Sequence, residues 1–478
     1  VANAVSARGT TYGWATLASV FVLVGGVWTH VRGTMPQLDG LEKFMDLGLM
    51  NSIWRTEWLP AQDTWLAGQS VNYYYYGQFV YTVVCKLTGI PPVIGYNLAM
   101  ASTFAVLVVG VAGLLVFLLS RAGASPIWRV VGAAVGAIAT SIAGNSHAFF
   151  YAGPGMAVLD AFRSLGIDVG QTDSFFFPSS TRFIGFSPDV PTDKTIAEFP
   201  YYSFLVSDLH AHVVNTLHIV LIVALLAVLI DGLVVRGEAA TQRLGGASIK
   251  DACLTFWRTR LGRPEVGLIA VFLAACAMGN YWDFAIYYVV MVLVVAVAEV
   301  RLGASRGSAG VAIFGLEVVG VLAAFVAVSQ PAVMVAALLA IAALATVSLG
   351  WRDTAWTRAG ALQAWIFAGA HLIALPFNVG FDPISKDLRF VAIRTPAWQL
   401  FVMWGPVVIA VVLMAIWGLL GGFRVPVDRP SGGRAGGVRP VRLRHLTAPD
   451  ALAAVVLPIA GIGLIWAPEV FYVRDVYE

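Results

Sequence analysis

Apolar residues in this chain run in long blocks, and the polar residues gather between the blocks instead of alternating within them. A helix crosses a hydrocarbon core with roughly 20 such residues. On that scale the pattern predicts spans near residues 12–31, 97–120, 128–150, 209–235, 264–279, 284–300, 309–329, 331–349, 359–377, 398–420 and 450–467. The expected fold is an all-α polytopic membrane protein, a single bundle of about eleven transmembrane helices occupying residues 1–478. The two spans flanking Asn280-Tyr281-Trp282-Asp283 are short, so this pair either dips into the membrane or divides elsewhere.

Two pieces between the first and second blocks follow another pattern. Phe44 to Trp58 carries Met45, Leu49, Ile53 and Trp54 at helical spacing, with Asp46, Asn51 and Glu57 elsewhere. That predicts an amphipathic helix lying in the membrane interface. Phe79 to Leu87 reads the same way, and Lys86 near its end argues against a crossing. These pieces lie in a long loop, 32–96. A second long loop, 151–208, has Pro178, Pro188, Pro191 and Pro200 with little periodicity, and binding residues concentrate in such loops. A third, 421–449, is rich in Gly, Pro and Arg and reads as a flexible segment beside anionic lipid.

Composition supports the membrane reading. The chain is 59% hydrophobic and 12% charged with mean hydropathy +0.79, more apolar than a soluble domain needs. A net charge of +3 is too small to indicate a nucleic-acid partner. Cys85, Cys253 and Cys276 have no spacing that suggests a disulfide framework or a metal site. The first block follows Arg8 and precedes no small-residue cleavage motif, which reads as a retained signal-anchor.

Charge sorting predicts orientation. With the N-terminus inside, Arg121, Arg236, Arg243, Lys250, Arg258, Arg260, Arg263, Arg301, Arg306, Arg352, Arg358 and the run from Arg424 to Arg444 fall on the cytoplasmic side. Most acids fall on the other. The reading is a multi-pass protein of the cytoplasmic (inner) membrane, with a cytoplasmic N-terminus and the C-terminus of this chain outside.

The unusual chemistry lies in the outer loops. Tyr73, Tyr74, Tyr75 and Tyr76 are either an aromatic belt at headgroup depth or a platform that stacks a sugar or holds a lipid phosphate. Asp208 and His212 share a helix face, whereas Asp208, His210 and His212 share a strand face. Either geometry admits a divalent metal; the alternative is a hydrogen-bonded polar cluster at a helix start. Asp283, after Trp282, is either a helix N-cap or a site residue. His218 reads as a packed or pore-side histidine. Glu317 lies inside a span and is protonated, paired or turned to a polar cavity. Phosphate-loop, hydrolase-elbow and zincin motifs are missing from the sequence, so no nucleotide cofactor is indicated.

These residues resemble a prokaryotic family of polytopic membrane proteins named for its tyrosine run, the YYY membrane proteins. The matching stretches are Glu42-Lys43-Phe44-Met45-Asp46, Trp65-Leu66-Ala67-Gly68, Asn72 to Gly77, Ala197-Glu198-Phe199-Pro200, Asp208 to His212, Trp282-Asp283 and Glu469 to Asp475. Phe44 stands where that pattern has proline. The pattern also continues beyond Tyr472-Val473-Arg474-Asp475 with further spans, which implies a chain truncated at Glu478. The family in turn is similar in layout to the GT-C fold of integral-membrane glycosyltransferases, which use polyprenyl-phosphate sugars. Asp46 sits where the essential acid lies in that layout.

The resemblance implies transfer of a sugar from a polyprenyl-phosphate donor to an acceptor on the outer face, with membrane lipid as surroundings. An acceptor hydroxyl needs a carboxylate to take its proton. Asp46, expected to be water-accessible, is the first candidate, followed by Glu198 and Asp208. The leaving lipid phosphate needs positive charge or a metal, which Lys43, Arg182 or Arg474 would supply; Arg474 otherwise pairs with its neighbour Asp475. Trp282, Asp283 and the four tyrosines complete the expected substrate site. A transporter or flippase would show internal repeats and mid-membrane polar residues on broken helices. A non-catalytic assembly factor would need no convergence of Asp46, Asp208 and the tyrosines.

Overall fold

The structure is a computed structural model that describes residues 2–170, 177–187, 189, 194, 196–235, 248–301, 308–383, 385–392, 394–419, 424–426, 438–440 and 457–475. It is helical almost throughout. The helices in chain order are α1 (Ala2–Gly33), α2 (Lys43–Arg55), α3 (Tyr76–Thr88), α4 (Pro92–Arg121), α5 (Pro126–Ser141), α6 (His147–Ala152), α7 (Met156–Ser164), α8 (Pro200–Val206) and α9 (Ala211–Ile230). They continue with α10 (Ile249–Phe256), α11 (Pro264–Gly279), α12 (Tyr281–Arg301), α13 (Ser308–Ala327), α14 (Pro331–Ser348), α15 (Ala355–Asn378), α16 (Ala397–Leu419) and a last short helix, Leu457–Trp466.

Local sequence sets many of these starts. Pro92, Pro126, Pro200, Pro264 and Pro331 each occupy the first helical position, where the missing N–H costs nothing and φ is already helical. Thr354 and Thr357 form a reciprocal capping box at the head of α15.

Among the described residues eight helices are long and apolar enough to cross a membrane, and α10 with α11 forms a bent pair that would make a ninth. Pro126–Ser141 and Leu457–Glu469 are apolar but shorter. The pieces expected to lie in the interface are helices of 13 residues each, α2 and α3, too short to cross. The core sits where α9, α11, α12 and α15 meet, around Leu226, Leu273, Met291 and Phe367. A second cluster joins α1, α4 and α9, with Trp28 stacked on Phe104 at 3.9 Å. Val22, Val130, Leu316, Val326 and Leu344 stay exposed on the spans, as side chains facing lipid would.

The two ends of the bundle differ. At one end arginines are tied into the fold: Arg260 makes a buried two-pronged pair with Glu299 at 2.6 and 3.1 Å, Arg121 meets Asp231, and Arg358 meets Asp353 at 2.5 Å. The opposite end carries α2, α3, α6, α7 and α8. It also carries β1 (Ser385–Phe390), which pairs antiparallel with β4 (Phe471–Asp475). The 421–449 segment lies mostly outside the described residues; within it β2 (Arg424–Pro426) pairs with β3 (Val438–Pro440). Arg236, Arg243 and Arg306 also lie outside the described residues.

A carboxylate and histidine cluster as candidate active site

Five separate stretches build the cluster at the loop-bearing end. Glu42 precedes α2, and its carbonyl accepts from Met45 N–H and Asp46 N–H at 2.9 and 3.0 Å. That turn places Asp46 on the helix face toward α3. On the other side, Ser207 takes a left-handed conformation, φ 58°, and stops α8. The chain then runs through Asp208, Leu209 and His210 before α9 begins. Leu209 is buried, and its N–H donates to the Tyr96 hydroxyl at 2.7 Å. Gly77 lets α3 approach α9: a Cβ there would lie 2.9 Å from the Val214 side chain.

The side chains form one connected run. Tyr73 Oη lies 2.8 Å from His210 Nε2, and Glu42 Oε2 lies 2.8 Å from the same nitrogen. His210 Nδ1 faces His212 Nδ1 at 3.1 Å. His212 Nε2 is 3.2 Å from Glu198 Oε2, which also accepts from Ser203 Oγ at 2.7 Å. Beneath this run, Glu42 N–H donates to Asp208 Oδ2 at 3.3 Å. Gln78 Nε2 donates to Asp46 Oδ1 at 2.8 Å and to the Leu209 carbonyl at 3.0 Å.

The acids differ sharply in character. Asp46 is 0% exposed, a correction to the expectation of a water-accessible group: α3 and Leu209 cover it. Burial, and then the charge of Asp208, push its carboxyl up to about 9 against the opposing hydrogen bond from Gln78. Asp46 Oδ2 and Asp208 Oδ1 are both buried without a hydrogen-bond partner. Burial also raises Asp208, although Glu42 N–H works against it. Two buried carboxyls that act on each other's charge do not readily ionise together. Glu198 goes the other way. Burial pushes it up, but the His212 ring and the Ser203 hydroxyl outweigh that and hold it below the usual carboxylate range.

The tyrosine run divides its tasks. Tyr73 joins the cluster. Tyr74 packs on Phe381 at 4.8 Å and Tyr75 on Phe377 at 5.3 Å. Tyr76 lies between Phe79 and His218, 6.1 and 6.0 Å away. Asn72 and Asp382 exchange hydrogen bonds of 2.9 Å, fastening this loop to the segment after α15. The four rings therefore do not form one stacking surface.

The cationic candidates separate. Lys43 adjoins the cluster; burial and then Arg32 lower its pKa, while Asp208 opposes them. Arg182 Nη1 donates to the Tyr202 hydroxyl at 3.2 Å, one residue from Ser203. Arg474 lies in β4 opposite Asp387, with only its backbone described. Asp283 sits in the first turn of α12 and accepts from Asn215 Nδ2 and Asn280 Nδ2 at 3.0 and 3.1 Å, while Trp282 is 49% exposed. Among the described residues no group of three or more His, Cys, Asp or Glu side chains converges to hold a metal. Asp208 is turned to Glu42 and Asp46, whereas the two imidazoles turn to each other.

Gln78, Tyr96, Ser203 and Asn215 escaped the sequence reading. Gln78 did leave a signal: it is a lone amide in the otherwise apolar stretch that follows the tyrosines, and at 0% exposure it must spend its hydrogen bonds inside.

No curated protein and no solved structure matches the chain. The signature of a family described as an uncharacterized membrane protein, DUF2298, matches residues 3–436. It spans the loops that build the cluster together with nearly all of the apolar helices, and the chain belongs to this family of uncharacterised membrane proteins.

Proposed function

We propose that this chain is an integral-membrane glycosyltransferase that moves a sugar from a polyprenyl-phosphate donor to an acceptor hydroxyl at the loop-bearing end of the bundle, on the outer face of the membrane. The observation that carries the reading is the contrast between carboxyls within one cluster: Asp46 and Asp208, which burial pushes up, beside Glu198, which its partners hold down and whose side chain is 31% exposed. Environments that drive acids apart in this way mark acid and base roles.

Glu198 is the accessible base. It faces solvent and is held by His212 and Ser203, whereas Asp46 is covered and keeps its proton. In the transfer step the acceptor hydroxyl gives its proton to Glu198. The acceptor oxygen bonds to the anomeric carbon, and the bond from that carbon to the phosphate oxygen breaks. Polyprenyl phosphate leaves with the electron pair, and Lys43 offsets its negative charge. The apolar exterior of the bundle lets the donor arrive sideways from lipid, and the full set of about eleven spans would come from adding the bent pair and the two short apolar helices to the eight long ones.

The test is transfer from a panel of polyprenyl-phosphate hexoses by the protein in lipid nanodiscs. Glu198→Gln keeps a hydrogen-bond partner for Ser203 and removes the base, so turnover falls on the order of 100- to 10,000-fold with thermal unfolding unchanged. Turnover near that of the native protein would remove Glu198 from the reaction. No transfer by the native protein from any donor in the panel would count against the reading itself.

A further inference from the structure

Two neighbouring helices of the bundle stand apart among the described residues. α12 and α13 each pack along α15, but neither packs closely against the other. Between them lies a cleft of about 290 Å3. One wall is a single face of α12, with Tyr281, Phe284, Tyr288 and Val292 at helical spacing. Val318, Leu322 and Phe325 of α13 form the other wall, and Phe367 of α15 completes the lining. The polar tips of the two tyrosines are taken up by α15: the Tyr281 hydroxyl lies 3.1 Å from His371 Nε2, and the Tyr288 hydroxyl donates to Gln363. Rings and aliphatic side chains are what the cleft presents. A space lined in this way stays free of water, and hydrocarbon is what fits it.

We propose that this cleft holds the hydrocarbon chain of a polyprenyl phosphate whose phosphate group sits at the carboxylate and histidine cluster; the inference rests on the transfer reading and gives its donor a place. Position argues for a headgroup at the cluster. Tyr281 opens α12 at the loop-bearing end, and two residues on, Asp283 accepts from Asn215 Nδ2 at 3.0 Å. Asn215 is on α9, one turn beyond His212. From Tyr281 the cleft follows α12 as far as Leu293, roughly 18 Å at 1.5 Å per residue. That is more than half the depth of a hydrocarbon core of about 30 Å. An amphiphile lying along it carries its head to the cluster and its chain into the membrane. The lining argues for an isoprenoid chain. Tyr281 stacks on Phe325 with ring planes 10° apart, and Phe284 on Tyr288 at 6°, so the walls are ordered before anything binds. A polyprenyl chain has double bonds at regular intervals, hence fewer freely turning bonds than a saturated acyl chain of equal length. It loses less entropy in a preformed slot.

The test uses the whole chain in lipid nanodiscs and a long-chain polyprenyl phosphate that carries a diazirine on an isoprene unit near the phosphate. On irradiation the label should fall on α12 between Phe284 and Leu293 and on α13 between Val318 and Phe325, saturably, and excess unlabelled polyprenyl phosphate should remove it. Val289, which also lines the cleft, is 54% exposed. Val289→Trp fills part of the space, and displacing a few methylene groups is enough to cut the labelling about tenfold. Leu322→Trp, from the opposite wall, should do the same, so that a folding defect in one variant leaves the other to decide. Val319→Trp, on the exposed flank of α13 outside the cleft, should leave the labelling as it is. Label spread evenly over the lipid-facing helices, or undiminished by both fillings, would overturn the inference. Dioleoyl phosphatidic acid competing as well as the polyprenyl phosphate would also overturn it, as the mark of a cleft for any lipid chain. In each of these cases saturable binding of the polyprenyl phosphate would leave the transfer reading standing. If the native protein binds no polyprenyl phosphate saturably, the transfer reading and this inference fall together.

Discussion

Asp46 is the residue whose environment says most. Its carboxyl titrates near 3.8 in an unfolded chain and at about 9 in the fold. Between these values the folded protein holds a proton that the unfolded chain has released. Stability therefore falls as pH rises through that window, and it is level below and above. Asp46→Asn leaves a neutral group of nearly the same shape in contact with Gln78 and removes the titration. The melting temperature of the variant, followed by intrinsic fluorescence from pH 5 to pH 9, should decline less than that of the native protein. Parallel profiles would mean that Asp46 is not a proton carrier. At this scale sequence reasoning singled out stretches that the structure brings together, but not the surroundings of each side chain. Glu42, Asp46, Glu198, Asp208, His210 and His212 do meet. That Asp46 is buried and Glu198 open depends on Gln78 and Leu209 arriving from elsewhere in the chain, and no local pattern carries that.

Among the elements, the contact of α3 with α9 decides whether the cluster exists. Gly77, one residue before the Gln78 that holds Asp46, leaves no room for a Cβ against Val214, which lies three residues beyond Ala211 at the start of α9. Gly77→Ala overpacks the contact and should lower stability by about 1–3 kcal/mol, read as a lower melting temperature. An unchanged melting temperature would show that the two helices are not so closely seated. Periodicity and length predicted α2 and α3 as short helices because apolar spacing is local information. The division of the tyrosine run was hidden for the opposite reason: Phe377 and Phe381, which take Tyr75 and Tyr74, lie about three hundred residues away in the sequence. The metal expectation was likewise drawn from spacing on one helix or one strand, whereas Asp208 precedes α9 and His212 lies within it.

For the whole molecule, the alternation of apolar blocks gave the class of fold directly, since burial in lipid leaves few alternatives to helices. The eight long helices, the bent pair and the two short apolar ones show where a count by hydrophobicity alone is least secure. The distribution of arginines predicts an orientation, and that prediction is open to direct test. In a cysteine-free background, Gln69→Cys should react with a membrane-impermeant maleimide added to intact spheroplasts, and Lys250→Cys only after permeabilisation. The reverse pattern would place the cluster in the cytoplasm.

The central claim is that the cluster receives a lipid phosphate, and binding tests it more directly than turnover because no acceptor has to be known. A long-chain polyprenyl phosphate, and the matching polyprenol without phosphate, can be titrated into the native protein and into a Lys43→Ala variant, with complexes counted by native mass spectrometry. Saturable one-to-one binding of the phosphate is expected, with at least tenfold weaker binding of the polyprenol and a comparable loss in the variant. Equal binding of phosphate and polyprenol, or full affinity in the variant, would contradict that claim.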